Sequence, residues 1–301
     1  MDKVKVLQAL SASVFAVLCA VSVNFSVKYA AEQGTPQHMI LFFRFVGGML
    51  LILPILFYCG ERSYKSSVPL LQASRALMIT LSIAMFFWTI AVMPVGIAGA
   101  IKNSGPLFIP LGAILFLGER ARLKLFIPVS IGLVGAILAT ENAMPEKGSL
   151  ALVVGLLSAA IGGLTTPWGK YLQRHDDLLV LVTWPAFGGI ILATGWVAVA
   201  GFTMPGLLVV LSLSVAGVFG YLAWFLIQWA YQTLSSRSIA PVKYLAIPFN
   251  LLGGLIFFGE VFTPLTLFGI GLILFACLLP WLEFKTIRTQ LEILQRWLPP
   301  K

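Results

Sequence analysis

Long apolar stretches, separated by short polar segments, follow one another along the whole chain. A helix needs about 20 mainly apolar residues to cross a bilayer, and ten stretches meet this requirement. We number them as spans one to ten in chain order: 6–29, 37–59, 71–93, 95–117, 123–140, 149–171, 178–200, 206–233, 238–258 and 264–282. The pattern therefore predicts an all-α integral membrane protein with ten transmembrane helices joined by short connections.

Features of the first half of the chain recur in the second half at a spacing of 141 positions. Because each half holds five spans, an odd number, we expect the second copy to lie in the membrane with the opposite orientation. Inverted repeats are typical of secondary transporters, whose substrate sites lie between the repeats. The recurring residues are Gly47-Gly48, Trp88, Lys102 and Gly118-Glu119 in the first half, and Gly188-Gly189, Trp229, Lys243 and Gly259-Glu260 in the second.

This repeat predicts the domain organisation. Residues 1–140 form the first five-helix unit, 141–148 a connecting loop, and 149–282 the second, inverted unit. Residues 283–301 then place apolar side chains on one helical face and basic ones elsewhere, which is typical of an amphipathic helix on a membrane surface. We expect this tail to lie on the cytoplasmic leaflet, as an anchor or as a contact for a partner.

The charged residues indicate the topology. The chain is 10% charged with a net charge of +9, whereas an ordinary soluble domain is about 25% charged. With the N-terminus in the cytoplasm, the outer segments hold Lys28 and Lys147, and three basic residues fall within spans. This bias predicts that both termini are cytoplasmic, and we expect no nucleic-acid partner. The basic residues on the cytoplasmic side are then Lys3, Lys5, Arg62, Lys65, Arg75, Arg120, Arg122, Lys124, Lys170, Arg174, Arg237, Lys285, Arg288, Arg296 and Lys301.

Arg44, Lys102 and Lys243 are the basic residues that this topology assigns to the spans rather than to either side. A charge at the centre of a bilayer costs at least about 2.5 kcal/mol, and the acidic residues all fall in loops or at span ends. An anionic or carboxylate-bearing substrate would therefore complete this positive site. Two alternatives stay open: the lysines extend to the nearer interface, and Arg44 braces loop carbonyls and Glu32.

Prolines follow both of these lysines. Pro106 removes the hydrogen bond that would go to the carbonyl of Lys102, Pro110 repeats the effect one turn later, and Pro248 frees the carbonyl of Tyr244. A free carbonyl inside a bilayer needs protein or water around it. We therefore expect these helix kinks to face a cavity.

Further residues beside the lysines are candidates for the same site. Asn103 adds a neutral donor and acceptor, and Tyr244 and Trp88 are expected to shape the cavity. Most aromatic residues in membrane helices instead pack against lipid or neighbouring helices, so packing is the alternative for both. Glu119 and Glu260 are expected to cap helix ends.

Enzyme motifs are absent from the sequence, which contains no HExxH, P-loop or GxSxG pattern. No two carboxylates occur within spans to act as an acid–base pair. The three cysteines are scattered without metal-binding or disulfide spacing. We therefore expect a protein that is not an enzyme and holds no cofactor or metal.

Four stretches carry a resemblance to a known family. They are NFSVKYA at the end of span one, FFRF in span two, FLGER at the end of span four, and APVKYLAIPFNLLGGLIFFGE in span nine. In these stretches and in its ten spans, the chain resembles EamA-type bacterial members of the drug/metabolite transporter superfamily.

The resemblance implies a ten-helix bundle that works by alternating access in the bacterial inner membrane. Its cavity would be lined mainly by spans one to four and six to nine, while spans five and ten support packing or a homodimer. Relatives that carry organic phosphates or sugar nucleotides use basic residues on spans four and nine, at places comparable to Lys102 and Lys243. Other similar members export amino acids or import S-adenosylmethionine.

The expected function is secondary transport of a small organic anion or zwitterionic metabolite, such as an amino acid or a phosphorylated or nucleotide-like compound. Lys102 and Lys243 would engage its negative group, with Arg44 and Asn103. The alternatives are an S-adenosylmethionine-type or drug transporter of the same family and, in a different class, a non-transporting membrane scaffold or partner subunit.

Overall fold

The computed structural model describes residues 3–117, 126–140, 148–234 and 242–279. Within these ranges all regular structure is helical, with short 3₁₀ helices at Gly60–Ser63 and Gly105–Phe108. Glu119, the connecting segment 141–147 and the tail 283–301 lie outside the described residues. The α-helices are α1 (Lys3–Glu32), α2 (Gln37–Cys59), α3 (Pro69–Val92), α4 (Val95–Lys102), α5 (Ile109–Leu117), α6 (Phe126–Thr140), α7 (Gly148–Leu172), α8 (Leu178–Ala200), α9 (Leu207–Thr233), α10 (Ala246–Phe258) and α11 (Pro264–Leu278).

In the described part of the chain, six helices are long and apolar enough to cross a membrane: α1, α2, α3, α7, α8 and α9. Three shorter apolar helical segments, at 127–140, 242–258 and 264–278, coincide with predicted spans five, nine and ten. Spans two and seven begin and end at the same residues as α2 and α8. Length and apolar composition alone therefore locate these helices well.

Predicted span four is interrupted near its middle. α4 ends at Lys102, the backbone turns at Asn103 and Ser104, and a 3₁₀ helix leads into α5. Pro106 lies in that 3₁₀ helix and has no N–H to donate to the carbonyl of Lys102. The next carbonyl along the chain, that of Asn103, accepts a hydrogen bond from the thiol of Cys277 on α11, at 3.6 Å. The break therefore has protein partners on α11.

The other two prolines lie inside regular helix. Pro248 is the third residue of α10, just after a turn at Leu245, and Pro110 is the second residue of α5. The N–H of Leu245 donates to the carbonyl of Val242 across that turn, at 3.1 Å. Span nine, like span four, thus changes its backbone geometry close to its lysine.

The helices of the two halves pack against one another in matching pairs. The contact between α1 and α9 has its counterpart in α7 against α3, and that between α2 and α9 in α8 against α3. Likewise, the contact between α10 and α1 has its counterpart in α5 against α7. Equivalent spans of the two halves also pack on each other: α2 on α8, α4 on α10, and α6 on α11. The main contacts are therefore unchanged when the halves are exchanged.

Glycines allow α2 and α9 to cross closely. A Cβ atom at Gly217 would collide with the carbonyl oxygen of Arg44 and lie 2.7 Å from the carbonyl carbon of Gly47. A Cβ atom at Gly47 would collide with the backbone of Ser214. Because the obstacles are backbone atoms, no side-chain rotation relieves them. This crossing positions Arg44, which lies between the two helices.

A polar cluster joins the two halves at one end of the bundle. Glu260, just after α10, accepts hydrogen bonds from the N–H groups of Val95 and Gly96, at 2.5 and 3.2 Å. It thereby caps the N-terminus of α4, where the helix dipole favours a negative group. Lys28 of α1 donates to the carbonyl of Met93 at 3.2 Å. These contacts hold α1, α4 and α10 together at this end.

A second polar cluster joins the halves at the opposite end. The carboxylate of Asp176 accepts from the hydroxyls of Ser66 and Ser67, at 2.5 and 2.9 Å, and from the side chain of Gln72 at 2.7 Å. It also accepts from the N–H of Ser67 at 2.8 Å. Asp176 follows α7 and the serines precede α3, so this carboxylate ties two connecting loops together.

Candidate functional site

A cavity of about 370 Å³ lies between the halves, among α1, α2, α3, the end of α4, α7, α9 and the beginning of span nine. No acidic side chain occurs among the described residues that line it. Its volume falls within the range of small-molecule sites, about 300 to 1,000 Å³. The basic side chains that line it are Arg44, Arg75, Lys102, Lys170 and Lys243.

Lys102 is held by two serines at the middle of the bundle. Its ammonium donates to the hydroxyl of Ser82 at 2.7 Å, and to the carbonyl and hydroxyl of Ser158 at 3.1 and 2.8 Å. The nitrogen also lies 5.3 Å from the centre of the Phe86 ring. Ser82 and Ser158 lie near the midpoints of α3 and α7, so Lys102 does not extend to a membrane interface.

These contacts use all three donors of the Lys102 ammonium on neutral oxygens. Ion pairs in the described part of the chain join Lys28 to Glu32 and Lys65 to Glu61, and none includes Lys102. The hydrogen-bonding capacity of Lys102 is therefore satisfied, while its positive charge remains uncompensated by a described carboxylate.

Lys243 and Asn103 line the same cavity as Lys102. An adjoining cavity of about 230 Å³ is lined by these three residues and by Pro106, but not by the two arginines. The side-chain amide nitrogen of Asn103 donates to the carbonyl of Gly99 at 2.7 Å. The two lysines thus line both cavities.

Arg44 lies among aromatic rings at the edge of the larger cavity. Its side chain is 5% exposed, and the central guanidinium carbon lies 4.8 Å from the ring centre of Phe45 and 5.1 Å from that of Tyr221. The Nε and Nη1 atoms of Arg44 have no partner in hydrogen-bonding geometry among the described residues. Glu32 is paired with Lys28 instead, so the bracing alternative for Arg44 does not describe this structure.

Arg75 and Lys170 are cavity residues that the sequence reasoning did not select. The charge pattern assigns both to cytoplasmic segments, but Arg75 lies within α3, is 3% exposed and faces the cavity, and Lys170 lies in the last turn of α7. A signal was present, because both positions fall inside the predicted spans 71–93 and 149–171. Ser82 and Ser158 carry no comparable signal, because isolated serines are common in membrane helices.

Trp88 and Tyr244 lie elsewhere. Neither is among the residues that line the two cavities. Trp88 packs against the main apolar core, and the hydroxyl of Tyr244 donates to the carbonyl of Cys277 at 3.2 Å. Trp224 of α9 takes a place in the cavity wall instead.

Metal binding finds no support in the described part of the chain. No group of three or more His, Cys, Asp or Glu side chains there is arranged to hold a metal ion. The three cysteines, at positions 19, 59 and 277, are free thiols. The polar residues that line the cavity carry basic groups, hydroxyls and amides.

Comparison with known proteins supplies the family. A model of the EamA-like transporter family matches residues 7–140 and again residues 149–281. The chain belongs to the EamA-like transporter family. The two matches fall on the two halves in which the lysine, the tryptophan and the Gly-Glu pair recur.

Relatives of this EamA-like transporter have named substrates. The pseudopaline exporter of Pseudomonas aeruginosa strain UCBPP-PA14 is 29% identical over 264 residues, which cover 85% of this chain and 92% of the exporter. The riboflavin transporter of Rhizobium johnstonii is 29% identical over 250 residues, which cover 81% and 80% of the two chains. The S-adenosylmethionine uptake transporter of Rickettsia bellii is 25% identical over 253 residues, with coverages of 81% and 84%.

A solved crystal structure shares the fold of this EamA-like transporter. It covers 93% of this chain and 98% of its own chain, with a TM-score of 0.65 and 14% sequence identity. At this identity the likeness concerns the fold alone. Family and relatives together make the protein a multi-pass membrane transporter for a small molecule.

Proposed function

We propose that the protein is a secondary transporter of the bacterial inner membrane that carries a small organic anion or a zwitterion with an acidic group. The observation that carries this proposal is the cavity between the halves, where five basic side chains meet no acidic one among the described lining residues. Charges inside a bilayer are costly and usually mark substrate or ion pathways. A negatively charged substrate lowers that cost when it binds.

The paired packing of the halves supports an alternating-access mechanism. We propose ten spans in two inverted repeats, with both termini in the cytoplasm and the substrate in the cavity between the halves, at Lys102 and Lys243. Inverted-repeat transporters expose such a midplane site to one side and then the other by rocking or gating one repeat against its counterpart. A polar cavity that both lysines reach favours this carrier over a scaffold, for which a dry centre is expected.

The cavity suggests which side is open in this conformation. Its lining includes Lys170 and Gln173 at the end of α7 that the charge pattern assigns to the cytoplasm. At the other end, Lys28 and Glu260 bind the connection between α3 and α4. We propose that the cavity is entered from the cytoplasm here, and that release to the outside requires the Glu260 contacts to separate.

The residues of the cavity take different roles in this proposal. Lys102, fixed by Ser82 and Ser158, supplies a positive potential and becomes a direct donor when a substrate displaces one serine oxygen. Lys243 adds a second positive charge, and Asn103 adds a neutral polar group in the same two cavities. Arg44 adds a guanidinium charge at the edge of the cavity.

Transport by purified protein in liposomes tests this function. A thermal-shift screen against amino acids, nucleotides, sugar phosphates and S-adenosylmethionine selects ligands, and counterflow then measures their transport. We expect the transported compounds to carry an acidic group, and Lys102→Gln and Lys243→Gln each to lower the initial rate at least tenfold. Lys65→Gln serves as the matched control, because Lys65 is 73% exposed and outside the cavity.

Two outcomes contradict the proposal. Counterflow restricted to cations without an acidic group would exclude an anion site. Unchanged rates in both lysine variants, with protein of normal yield and gel-filtration behaviour, would remove the lysines from the transport pathway.

A further inference from the structure

Arg75 resembles Arg44 in its surroundings, although the two residues lie on different helices. Each is at least nine-tenths buried, each lines the larger cavity, and each keeps an Nε–H without a partner in the described part of the chain. Arg75 makes one hydrogen bond, from Nη1 to the carbonyl of Leu181 at 3.3 Å. These unpartnered nitrogens are themselves buried, so an acceptor in the cavity reaches them only after a small movement of the guanidinium groups; the desolvation cost of an unpaired N–H favours that movement.

Glycines leave space beside both guanidinium groups. A Cβ atom at Gly169 of α7 would lie 3.0 Å from Nη2 of Arg75, and one at Gly220 of α9 would lie 2.6 Å from Nη2 of Arg44. Any larger residue at either position would press on the guanidinium group. The small residues therefore let each arginine lie flat against the opposing helix at the cavity wall.

Two aromatic rings of α9 connect the arginines. Tyr221 lies beneath Arg44, with 5.1 Å between the guanidinium carbon and the ring centre, and Trp224 lies beneath Arg75 at 5.7 Å. The two rings are stacked, with centres 6.4 Å apart and planes inclined by 15°. Cation–π contacts hold a guanidinium group in place without using its N–H donors. The rings thus help to orient both arginines at the cavity wall.

The lysine pair differs from this arginine pair in place and in hydrogen bonding. All four residues line the larger cavity, but Lys102 and Lys243 also line the adjoining cavity of about 230 Å³, which neither arginine lines. The donors of Lys102 are all satisfied by serine oxygens. Lys102 therefore acts mainly through its charge, whereas the arginines offer directional hydrogen bonds that match a carboxylate.

We propose that Arg44 and Arg75 form a second anion subsite, and that the substrate carries two separate carboxylate groups. One carboxylate binds the arginine pair over Tyr221 and Trp224, and the other lies at Lys102 and Lys243. This inference rests on the proposed anion transport and narrows its substrate to the class of dicarboxylates. A single carboxylate would leave one of the two basic pairs without a counter-charge.

Binding of matched ligands to the purified full-length protein tests the inference. The ligands are succinate, glutarate and adipate, each compared with its own monoamide, which keeps the shape and loses one negative charge. We expect at least one dicarboxylate to bind the wild type tenfold or more tightly than its monoamide, by isothermal titration calorimetry. In Arg75→Gln and in Arg44→Gln, the ratio of the monoamide Kd to the dicarboxylate Kd should fall to less than about two.

Two further variants guard against unfolding and non-specific effects. Arg174→Gln makes the same substitution at an exposed position that lines neither cavity, and it should keep the wild-type ratio. Arg75→Lys keeps the charge but loses the planar fork, so we expect an intermediate ratio. Gel filtration and thermal unfolding establish that each variant is folded.

The outcomes separate this inference from the proposed function. A wild-type ratio near one for all three pairs, no binding of any dicarboxylate, or a ratio that survives both arginine substitutions would overturn the second subsite. If a compound with a single acidic group is nevertheless transported in counterflow, anion transport stands. If no acidic compound is transported, the proposed function fails as well.

Discussion

Single residues show how a charge is tolerated inside this bundle. The Lys102 ammonium binds hydroxyl and carbonyl oxygens of two serines rather than a carboxylate. Neutral oxygens meet the requirement for hydrogen bonds but leave the positive potential in the cavity. A buried carboxylate would cancel that potential and compete with an anionic substrate. Serine partners therefore suit a site in which the substrate supplies the negative charge.

Ser158→Ala tests the contribution of this hydroxyl. Its oxygen accepts from Lys102 and its hydrogen bonds to the Ser82 carbonyl at 2.7 Å. We expect a loss of about 1 to 2 kcal/mol in the free energy of unfolding, because hydrogen bonds to charged groups are strong but are weakened by alternatives within membranes. Denaturant unfolding in mixed micelles measures it.

The matched control is Ser11→Ala, since Ser11 is exposed and its hydroxyl bonds to Gln8 of its own helix. Ser11→Ala should stay within about 0.5 kcal/mol of the wild type, as surface substitutions usually do. Equal losses in the two variants would mean that the contact with Lys102 contributes nothing measurable.

At the scale of elements, interrupted and closely crossing helices build the site. The break after Lys102 places the C-terminus of α4 beside the lysine, where the helix dipole favours a cation, and Glu260 occupies the opposite end of α4. The crossing of α2 with α9 then brings Arg44 to Tyr221. Close backbone approach matters in membranes, because apolar burial adds little to helix association there.

Gly217→Ala tests that crossing. Its methyl group would collide with the backbone of α2 at Arg44, and overpacking of this kind costs typically about 1 to 3 kcal/mol. We expect a clearly lower thermal midpoint and a smaller yield of monodisperse protein.

Gly195→Ala is the appropriate comparison. Gly195 lies in α8, and a Cβ atom added there meets nothing within 4 Å. Alanine is the better helix former, so Gly195→Ala should equal or exceed the wild type in stability. A Gly217→Ala protein as stable as Gly195→Ala would show that the two helices separate without cost.

At the scale of the whole molecule, polar clusters tie the halves together at both ends of the bundle. Glu260 joins α10 to α4 at one end, and Asp176 joins the loop after α7 to the loop before α3 at the other. Burial opposes ionisation of Asp176, but the hydrogen bonds from Ser66, Gln72 and Ser67 outweigh it and hold the pKa of this carboxyl below its ordinary value. The ionised form of Asp176 therefore stabilises the contact between these two loops.

The pH dependence of stability tests the Asp176 contact. Because the folded-state pKa is lowered, the contribution is complete above the unfolded value of about 4 and disappears as pH falls through the folded-state pKa. We expect wild type to exceed Asp176→Asn in thermal midpoint at pH 7, and the difference to shrink towards pH 3. A difference that is constant with pH would assign the effect of the substitution to shape rather than to charge.

Much of the helical framework could be predicted, because it depends on local composition. Spans two and seven agree with α2 and α8 at both ends, and span three, 71–93, agrees with α3 to within two residues. Span four shows the limit: its outer bounds match α4 and α5, yet the turn at Asn103 and Ser104 divides it. A hydrophobicity pattern indicates how long a membrane-spanning segment is, but it does not indicate where a turn interrupts the helix.

Part of the cavity lining could be predicted for a related reason, while the role of these residues in substrate binding stays a prediction. Lys102, Lys243, Arg44 and Asn103 line the cavity, and their unusual polarity within apolar spans had marked them. Tyr244 turns to α11 instead, because the direction in which a helix presents a side chain is set by its packing against distant segments. Basic residues near span ends are also ambiguous, because they fit either the span or the adjoining segment, and so the charge pattern places Arg75 on the cytoplasmic side.

The sequence by itself determined that this is a helical membrane protein and that features of its first half recur in its second half. It also determined that basic residues lie at positions where apolar ones are expected. Those properties follow from composition, order and spacing, which are local or covalent. The tertiary structure decided that Arg75 joins Arg44 at one cavity, that serines from α3 and α7 hold Lys102, and that Trp88 and Tyr244 lie outside the cavity walls. These facts depend on how each helix is rotated against its neighbours, which close packing between remote segments alone determines.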